Sequence, residues 1–401
     1  MAARSVWLGL PSVMLFVLGI HMALALFVVF VVPFPTQIDE IQHLSVIRAQ
    51  YEHPTIFPDW SQYKMLRLDD LTQWSGFSNY INHPSLYYLM LSPLMLLTSE
   101  PLLFRLTSVL LSTAALAIGM VAVHRRFAAD VVPPGLYAVM AASFPKAAVV
   151  GGMVNNDNLA ALAAAMVFGG MLGLPGASWW LAVGLAVAGW TKLTAFIGVA
   201  AVAGAWLGMG LLTGRVKWSD RMLWYACVGV MLGAVPYLVT FMRIGQFVWV
   251  NEAFWRVPVA QRLPLDLMGF AGWFFKWLVM KWPAWEQSYS LPVALILILT
   301  PLALAAAGLR HRVIRPWGQA YAIGLVVLLT IHFCFGWRSY VTLGDLTIMQ
   351  PRYYNILWPG IALAATMGIA DLARRWRPAA TLAVAICLMP TMLGTLVNLN
   401  F

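Results

Sequence analysis

Long apolar stretches are the feature of this 401-residue sequence that most restricts its fold. A helix needs about 20 apolar residues to cross the hydrocarbon core of a bilayer. Eleven stretches approach that length: Pro11–Val32, Leu102–Val123, Val131–Val150, Leu159–Leu174, Trp179–Trp190, Leu193–Leu212, Met222–Met242, Pro292–Leu309, Trp317–Phe335, Asn355–Ala370 and Ala379–Leu396. The pattern predicts an all-α polytopic membrane protein, with one transmembrane domain of about 11 helices over residues 1–401. No small-residue cleavage site follows the first stretch, so we interpret it as a retained span and not a signal peptide.

The composition excludes most other classes of protein. Hydrophobic residues make up 61% of the chain and charged residues only 10%, whereas soluble domains carry about 25% charged residues. A disordered chain, a nucleic-acid-binding module and a disulfide-stabilised secreted domain are all excluded. The three cysteines lie inside apolar stretches and have no metal-ligand spacing.

The positions of lysine and arginine predict the orientation of the spans. With eleven spans and the N-terminus inside, twelve basic and three acidic residues fall on the inner loops, a balance of +9. Such an excess is typical of cytoplasmic loops. The outer side keeps twelve of the fifteen carboxylates, so most acidic side chains face the exterior.

The irregular sequence lies on the same outer side. A first outer loop covers residues 35–101 and a second large one residues 245–290, with shorter ones at Gly151–Asn158 and Gly336–Arg352. Functional residues concentrate in such loops. Pro84–Thr98 is too short for a span and is predicted to be an interfacial or re-entrant segment.

An aromatic segment in the second large loop has two interpretations. Phe270–Trp282 is rich in Trp and Phe and carries two lysines, which is typical of a helix in the membrane interface. A twelfth crossing is the alternative.

Asp39, Glu40 and His43 follow the first span and open a predicted short helix, Ile38–Tyr51. A spacing of three or four residues places a carboxylate and the imidazole on one helix face. Such a cluster could act as a general base or hold a divalent ion. Capping of the helix N-terminus by the two carboxylates is the alternative.

Further polar groups precede later apolar stretches. His83 and Tyr87 lie in a His-Pro-Ser-Leu-Tyr-Tyr segment, and Asn156 and Asp157 belong to an Asn-Asn-Asp-Asn run at the mouth of a span. A helix cap needs only one such side chain, so the run indicates a binding site.

Two cations interrupt apolar sequence. Lys192 lies in a 35-residue apolar stretch, and Arg352, next to Tyr353, enters a late span from the outer side. A charged lysine near the membrane core costs free energy, so its presence indicates a site with an anionic partner. Snorkelling to the interface is the alternative.

In order and spacing, these elements resemble the polytopic glycosyltransferases of the GT-C fold, which include protein O-mannosyltransferases and the lipid A aminoarabinose transferase. The resemblance covers residues 10–215, with a weaker match at 345–360. It rests on an Asp-Glu pair after the first span, His-Pro-x-Leu-Tyr-Tyr, an Asp at a span entry, Thr-Lys between two apolar runs, and Arg-Tyr near a proline: Asp39, Glu40, His83–Tyr88, Asp157, Thr191, Lys192, Arg352, Tyr353 and Pro359.

The resemblance implies an inverting transfer of a sugar from a polyprenyl-phosphate donor to a hydroxyl of a lipid, glycan or peptide. The catalytic candidates are Asp39, as the general base, and Glu40; Lys192, Arg352 and Tyr353 are the candidates at the donor phosphate. The remaining substrate-binding candidates are His43, His83, Tyr87, Asn156 and Asp157. We expect an integral protein of the bacterial inner membrane, in contact with membrane lipids, whose site faces the periplasm and which binds no nucleic acid.

The sequence departs from this family in lacking a DxD motif and a large soluble domain after the last span. A divalent metal ion therefore remains a candidate cofactor only, with Asp39, Glu40, His43 and Asp157 as candidate ligands. Two rival hypotheses stay open. One is a transporter or flippase for a lipid-linked sugar, and the other is a non-catalytic assembly partner.

Overall fold

A computed structural model describes residues 10–36, 39–282, 290–347 and 350–397. Within these ranges the chain forms sixteen α-helices, two short β-strands and four short 3₁₀ helices. The helices are α1 (Ser12–Val31), α2 (Glu40–Glu52), α3 (Leu86–Leu91), α4 (Pro101–Arg126), α5 (Pro134–Ala142), α6 (Ala147–Gly151), α7 (Asp157–Met171), α8 (Ala177–Thr191), α9 (Leu193–Leu212), α10 (Arg221–Ile244), α11 (Glu252–Trp255), α12 (Leu267–Met280), α13 (Leu291–Gly308), α14 (Arg315–Leu343), α15 (Trp358–Arg375) and α16 (Arg377–Val397). The strands are β1 (Lys64–Leu66) and β2 (Trp74–Ser78), and the 3₁₀ helices are Trp60–Gln62, Ser92–Leu96, Val259–Gln261 and Pro351–Leu357.

Seven helices in the described part of the chain are long and apolar enough to cross a membrane. They are α1, α4, α9, α10, α13, α14 and the segment Pro351–Arg375, which joins a 3₁₀ helix to α15. Each corresponds to one of the eleven predicted spans. The other four predicted spans correspond to α5 with α6, α7, α8 and α16.

The predicted span Val131–Val150 is not one continuous helix. α5 ends at Ala142 and α6 begins at Ala147, and Lys146 between them has a positive φ of 64°. Pro145 explains the break, because proline has no N–H to donate and disfavours a helical conformation in the residue before it. Apolar composition alone does not predict this interruption.

The first outer loop contains more than the predicted interfacial helices. β1 and β2 pair antiparallel, with Lys64 opposite Ser78 and Leu66 opposite Trp74. α3 and the 3₁₀ helix that follows it end at Leu96. Leu86–Leu96, the eleven residues of these two helices, would span about 16 Å even as one regular helix, which is about half of the bilayer core. This segment is therefore too short to cross a membrane.

The same measure applies to α12, which covers most of the aromatic segment predicted to be interfacial. Its 14 residues give a length of about 21 Å, short of the roughly 30 Å of the bilayer core. α12 alone is therefore too short for a twelfth crossing. The end of the second large loop, residues 283–289, lies outside the described residues.

α8 and α10 pack backbone against backbone at two glycines. A Cβ atom on Gly189 would lie 2.2 Å from the carbonyl oxygen of Gly233. This close approach requires glycine, because any side chain would force the helices apart. The contact lies less than one turn before Lys192, so it fixes the outer end of α8 against α10.

Apolar side chains attach the first outer loop to the helix bundle. The fully buried Leu44, Ile47, Tyr87 and Tyr88 join α2 and α3 in one core cluster with Phe104 of α4. Burial of each large apolar side chain contributes roughly 1.5–3 kcal/mol. The loop is thereby held against the outer ends of the helices, where the candidate site lies.

Candidate active site

Glu40 and Arg105 form a buried ion pair beneath the first outer loop. Nε and a terminal nitrogen of Arg105 each donate to one Glu40 carboxylate oxygen at 2.7 Å. The same carboxylate accepts from the backbone N–H groups of Val154 and Thr36, both at 3.0 Å. The guanidinium also donates to three backbone carbonyls at the end of the first span, those of Val29, Val32 and Pro33. This pair therefore joins four chain segments and points away from solvent.

Asp39 turns its carboxylate in a different direction. Its backbone is left-handed, with φ of 56°, and its side chain does not cap α2. The hydroxyl of Tyr80 donates to one oxygen of Asp39, and Arg352 donates to the other at 2.5 Å. Burial raises the pKa of Asp39, but the Arg352 charge and these hydrogen bonds outweigh it and hold the pKa below its ordinary value. Asp39 is therefore an ionised carboxylate at neutral pH.

Asp157 and Lys192 meet on the other side of Arg352. Lys192 lies in extended backbone between α8 and α9, and its Nζ donates to an Asp157 oxygen at 2.5 Å. Nε of Arg352 lies 3.4 Å from the second Asp157 oxygen. Lys192 Nζ also lies 4.6 Å from the centre of the Tyr353 ring. We call Asp39, Arg352, Asp157 and Lys192 the four-charge network; its formal charges sum to zero.

The amides beside Asp157 hold backbone in place. Asn156 donates to the carbonyl of Thr191 at 3.1 Å, which ties the start of α7 to the residue before Lys192. Asn158 donates to the carbonyls of Val150 and Met153. These contacts fix the positions from which Asp157 and Lys192 reach each other.

His43 and the aromatic residues around it lie behind the network. Nδ1 of His43 lies 3.0 Å from the hydroxyl of Tyr88, and its ring stacks on that of His83 with centroids 6.2 Å apart. Burial lowers the pKa of His43 to about 3 and that of His83 well below its ordinary value. Both imidazoles are therefore neutral at physiological pH. The hydroxyl of the fully buried Tyr87 lies 3.4 Å from Ser108 Oγ, inside the protein.

A cavity of about 390 Å³, here called the main cavity, opens beside the network. Five of the predicted site residues line it: Asp39, His83, Lys192, Arg352 and Tyr353. Leu193, Ile331 and Phe335 form part of its apolar wall. Its volume lies within the range of small-molecule sites, about 300–1,000 Å³. The cavity therefore joins a charged end to an apolar wall.

The other five predicted residues lie outside the lining of the main cavity. They are Glu40, His43, Tyr87, Asn156 and Asp157. Asp157 contacts Lys192 and Arg352, which do line the cavity. Sequence reasoning missed Tyr80, Tyr237 and Arg338, which do line it. Tyr80 stood within the polar segment before His83, but nothing in the sequence indicated its contact with Asp39.

The candidate metal ligands do not form a metal-binding group. Among the described residues there is no set of three or more His, Cys, Asp or Glu side chains that could hold a metal ion. Glu40 is engaged with Arg105, while Asp39 and Asp157 share the cation Arg352. The donor atoms present therefore do not fit a metal site.

A scan against models of protein families finds no match, and neither does a search of curated proteins. Among solved structures, the chain matches ArnT from Cupriavidus metallidurans, in a crystal structure bound to undecaprenyl phosphate. The TM-score is 0.56 at 15% sequence identity, over 93% of this chain. The chain has the ArnT fold. It spans 62% of the length of ArnT.

The likeness to ArnT confirms the predicted fold class. ArnT is a GT-C lipid A aminoarabinose transferase, and the resemblance drawn from the sequence included that group. Together with the seven apolar helices, it identifies the chain as a polytopic integral membrane protein with a GT-C-like bundle.

Proposed function

We propose that the protein is a membrane glycosyltransferase that transfers a sugar from a polyprenyl-phosphate donor to an acceptor hydroxyl at the extracytoplasmic face. The observation that carries this proposal is the four-charge network at the polar end of the main cavity. It lies in a fold shared with ArnT, whose crystal structure contains undecaprenyl phosphate.

Lys192 and Arg352 are the proposed ligands of the donor phosphate. Arginine can bind two phosphate oxygens with its planar fork, and lysine acts as a point charge. Both side chains are buried, at 5% and 8% exposure, where charge interactions are stronger than in water. The apolar wall of the main cavity suits the first isoprene units beyond the phosphate.

Binding of the donor phosphate would also change the pKa of Asp39. In the structure Arg352 is shared between Asp39 and Asp157, so a bound phosphate competes with Asp39 for the guanidinium. Partial loss of that cation removes an interaction that lowers the pKa of Asp39. Donor binding therefore makes Asp39 a stronger base.

The proposed reaction is a single displacement. Asp39 takes the proton of the acceptor hydroxyl while the acceptor oxygen forms a bond to the anomeric carbon. The bond between that carbon and the phosphate oxygen breaks, and its electron pair leaves with the polyprenyl phosphate. Attack opposite the leaving group inverts the anomeric configuration. Glu40, held by Arg105, positions Asp39 and takes no proton.

Asp39→Asn tests the base. Asparagine tolerates the left-handed backbone of residue 39, so the fold should be kept. We expect transfer of a radiolabelled sugar to fall by about 10²–10⁴-fold, while binding of undecaprenyl phosphate, measured by native mass spectrometry, is retained. Asp70→Asn, a change to an exposed carboxylate of the same loop, is the matched control.

Three results would contradict the proposal. Normal transfer by Asp39→Asn would exclude Asp39 as the base. Sugar movement across proteoliposomes without a covalent product would instead support the transporter or flippase hypothesis. A wild-type protein that binds no undecaprenyl phosphate would exclude the proposed donor class.

A further inference from the structure

A second cavity lies beside the main cavity, between the first outer loop and the outer end of α10. Its volume is about 240 Å³, roughly eight times the volume of a water molecule in the liquid. Phe57, Trp60, Val239, Ile244 and Trp249 supply much of its apolar lining. None of the proposed catalytic or phosphate-binding residues lines it.

The two cavities share a wall. Asn82, Pro84, Tyr237, Phe247 and Val248 line both of them. The side-chain amide of Asn82 donates to the carbonyl of Trp249 at 2.5 Å, which fixes the segment from the second large loop against the first. These five residues therefore form the boundary between the two cavities.

Tyr237 within this wall has an unused polar atom. Its side chain is 6% exposed, and its ring stacks on Phe196. Among the described residues no group hydrogen-bonds to its buried hydroxyl. A buried polar group without a partner costs free energy. A ligand hydroxyl or phosphate at the wall would supply the missing hydrogen bond.

The second cavity adjoins an exposed apolar surface of α10. On the same stretch of α10, Leu238, Phe241 and Met242 are exposed by 51%, 46% and 75%, which in a membrane protein means contact with lipid. Charged side chains line the same cavity, with Arg243 donating to the carbonyl of Phe57 and Asp59 nearby. Apolar walls beside exposed charges match a molecule with a hydrocarbon chain and a polar head.

We infer that the second cavity binds the acceptor, and that the acceptor is an amphiphile with a hydrocarbon chain and a hydroxyl-bearing head. The chain occupies the apolar lining, and the head passes Tyr237 and Asn82 toward Asp39. This inference rests on the proposed function and adds the acceptor class to it.

The test uses an alkyl maltoside that carries a photoreactive diazirine in its chain as the acceptor-like probe. We expect photolysis of the detergent-solubilised full chain to label residues 236–249 and 56–60, as mapped by peptide mass spectrometry. Val239→Trp, which fills the cavity, should reduce this labelling at least about tenfold while undecaprenyl phosphate still binds. Met242→Trp, three residues along α10 and facing lipid, should leave labelling unchanged.

Excess undecaprenyl phosphate separates the two candidate occupants. Labelling that persists in its presence supports an acceptor site. Labelling that it abolishes, or a loss of undecaprenyl phosphate binding in Val239→Trp, would show that the second cavity holds the donor's own tail and would overturn the inference. Equal labelling in Val239→Trp and wild type would also overturn it.

Tyr237→Phe provides an independent measurement if Val239→Trp fails to fold. It removes one oxygen atom, and we expect the concentration of probe for half-maximal labelling to rise about three- to tenfold. An unchanged value would contradict the assigned hydrogen bond. Absence of undecaprenyl phosphate binding in the wild type would refute the proposed function and leave the labelling result standing.

Discussion

Asp39 and Glu40 are adjacent in the sequence and have opposite surroundings. Glu40 is fully buried and receives four hydrogen bonds from Arg105, Val154 and Thr36. Asp39 lines the main cavity and shares Arg352 with a second carboxylate. A saturated ion pair resists change, whereas a shared cation can be redistributed when a ligand arrives.

The left-handed backbone of Asp39 produces this difference. Asp39 is left-handed and Glu40 is the first residue of α2, so the two side chains leave backbone of different conformation and reach different partners. Non-glycine residues rarely adopt it, and aspartate is among those that do most readily. One short turn thus gives the first outer loop both a buried anchor, Glu40, and a carboxylate that lines the main cavity, Asp39.

The largest expected effect is on the anchor. Glu40→Gln leaves Arg105 buried without its anion, and we expect the free energy of unfolding to fall by about 3–5 kcal/mol, seen as a lower Tm in detergent. Glu40→Gln with Arg105→Met should recover part of the loss, because no charge is then left unpaired. If Glu40→Gln kept the wild-type Tm but lost transfer, Glu40 would belong with Asp39 in the chemistry.

Lys192→Met tests the network. We expect the Kd for undecaprenyl phosphate to rise about 10- to 100-fold, the worth of one charge-assisted hydrogen bond, as measured by native mass spectrometry. The loss of stability should be smaller than for Glu40→Gln, because Arg352 remains 3.4 Å from Asp157. An unchanged Kd would remove Lys192 from the phosphate site.

Tyr80→Phe should have a smaller effect, on the positioning of Asp39. We expect kcat to fall about three- to tenfold. The hydroxyl of Tyr80 helps to lower the pKa of Asp39, so its removal raises that pKa. The acid limb of the kcat profile, where Asp39 becomes protonated, should move to higher pH. A uniform loss of activity with the limb unmoved would indicate a structural role only.

The smallest effect concerns His43. Its pKa is about 3 in the folded protein and about 6.5 in an unfolded chain, so between these values only the unfolded state takes up the proton. Stability therefore falls as pH drops below about 6.5, by roughly 0.7 kcal/mol between pH 7 and 6. His43→Gln should flatten this slope in Tm measured against pH, and a slope equal to that of wild type would contradict the assignment.

Hydropathy predicted the membrane spans, and isolated charges within apolar sequence predicted the candidate site. The apolar stretches predicted the spans because the bilayer imposes one length on every crossing helix. Lys192 and Arg352 stood out because a cation inside apolar sequence needs a partner. The structure brings them to Asp157 and Asp39, and their proposed roles await the measurements above.

Contacts between distant segments were beyond the sequence. Arg105 lies 65 residues from Glu40, and no pattern in the sequence links the two residues. β1 and β2 have three and five residues, too few for a reliable alternation of polar and apolar residues. Pro145 is itself a sequence signal for a helix break, but the apolar stretch Val131–Val150 around it favours a single span.

The contact between Gly189 and Gly233 has a consequence for how the protein could be altered. Lys192 comes directly after α8, three residues beyond Gly189, and Tyr237 lies on α10, four residues beyond Gly233. Main-chain atoms therefore set the distance between the segments that carry these two residues. Side chains around the cavities can then be exchanged while the distance from Lys192 to the shared wall stays constant. Substitution of either glycine would change that distance whatever the cavities hold.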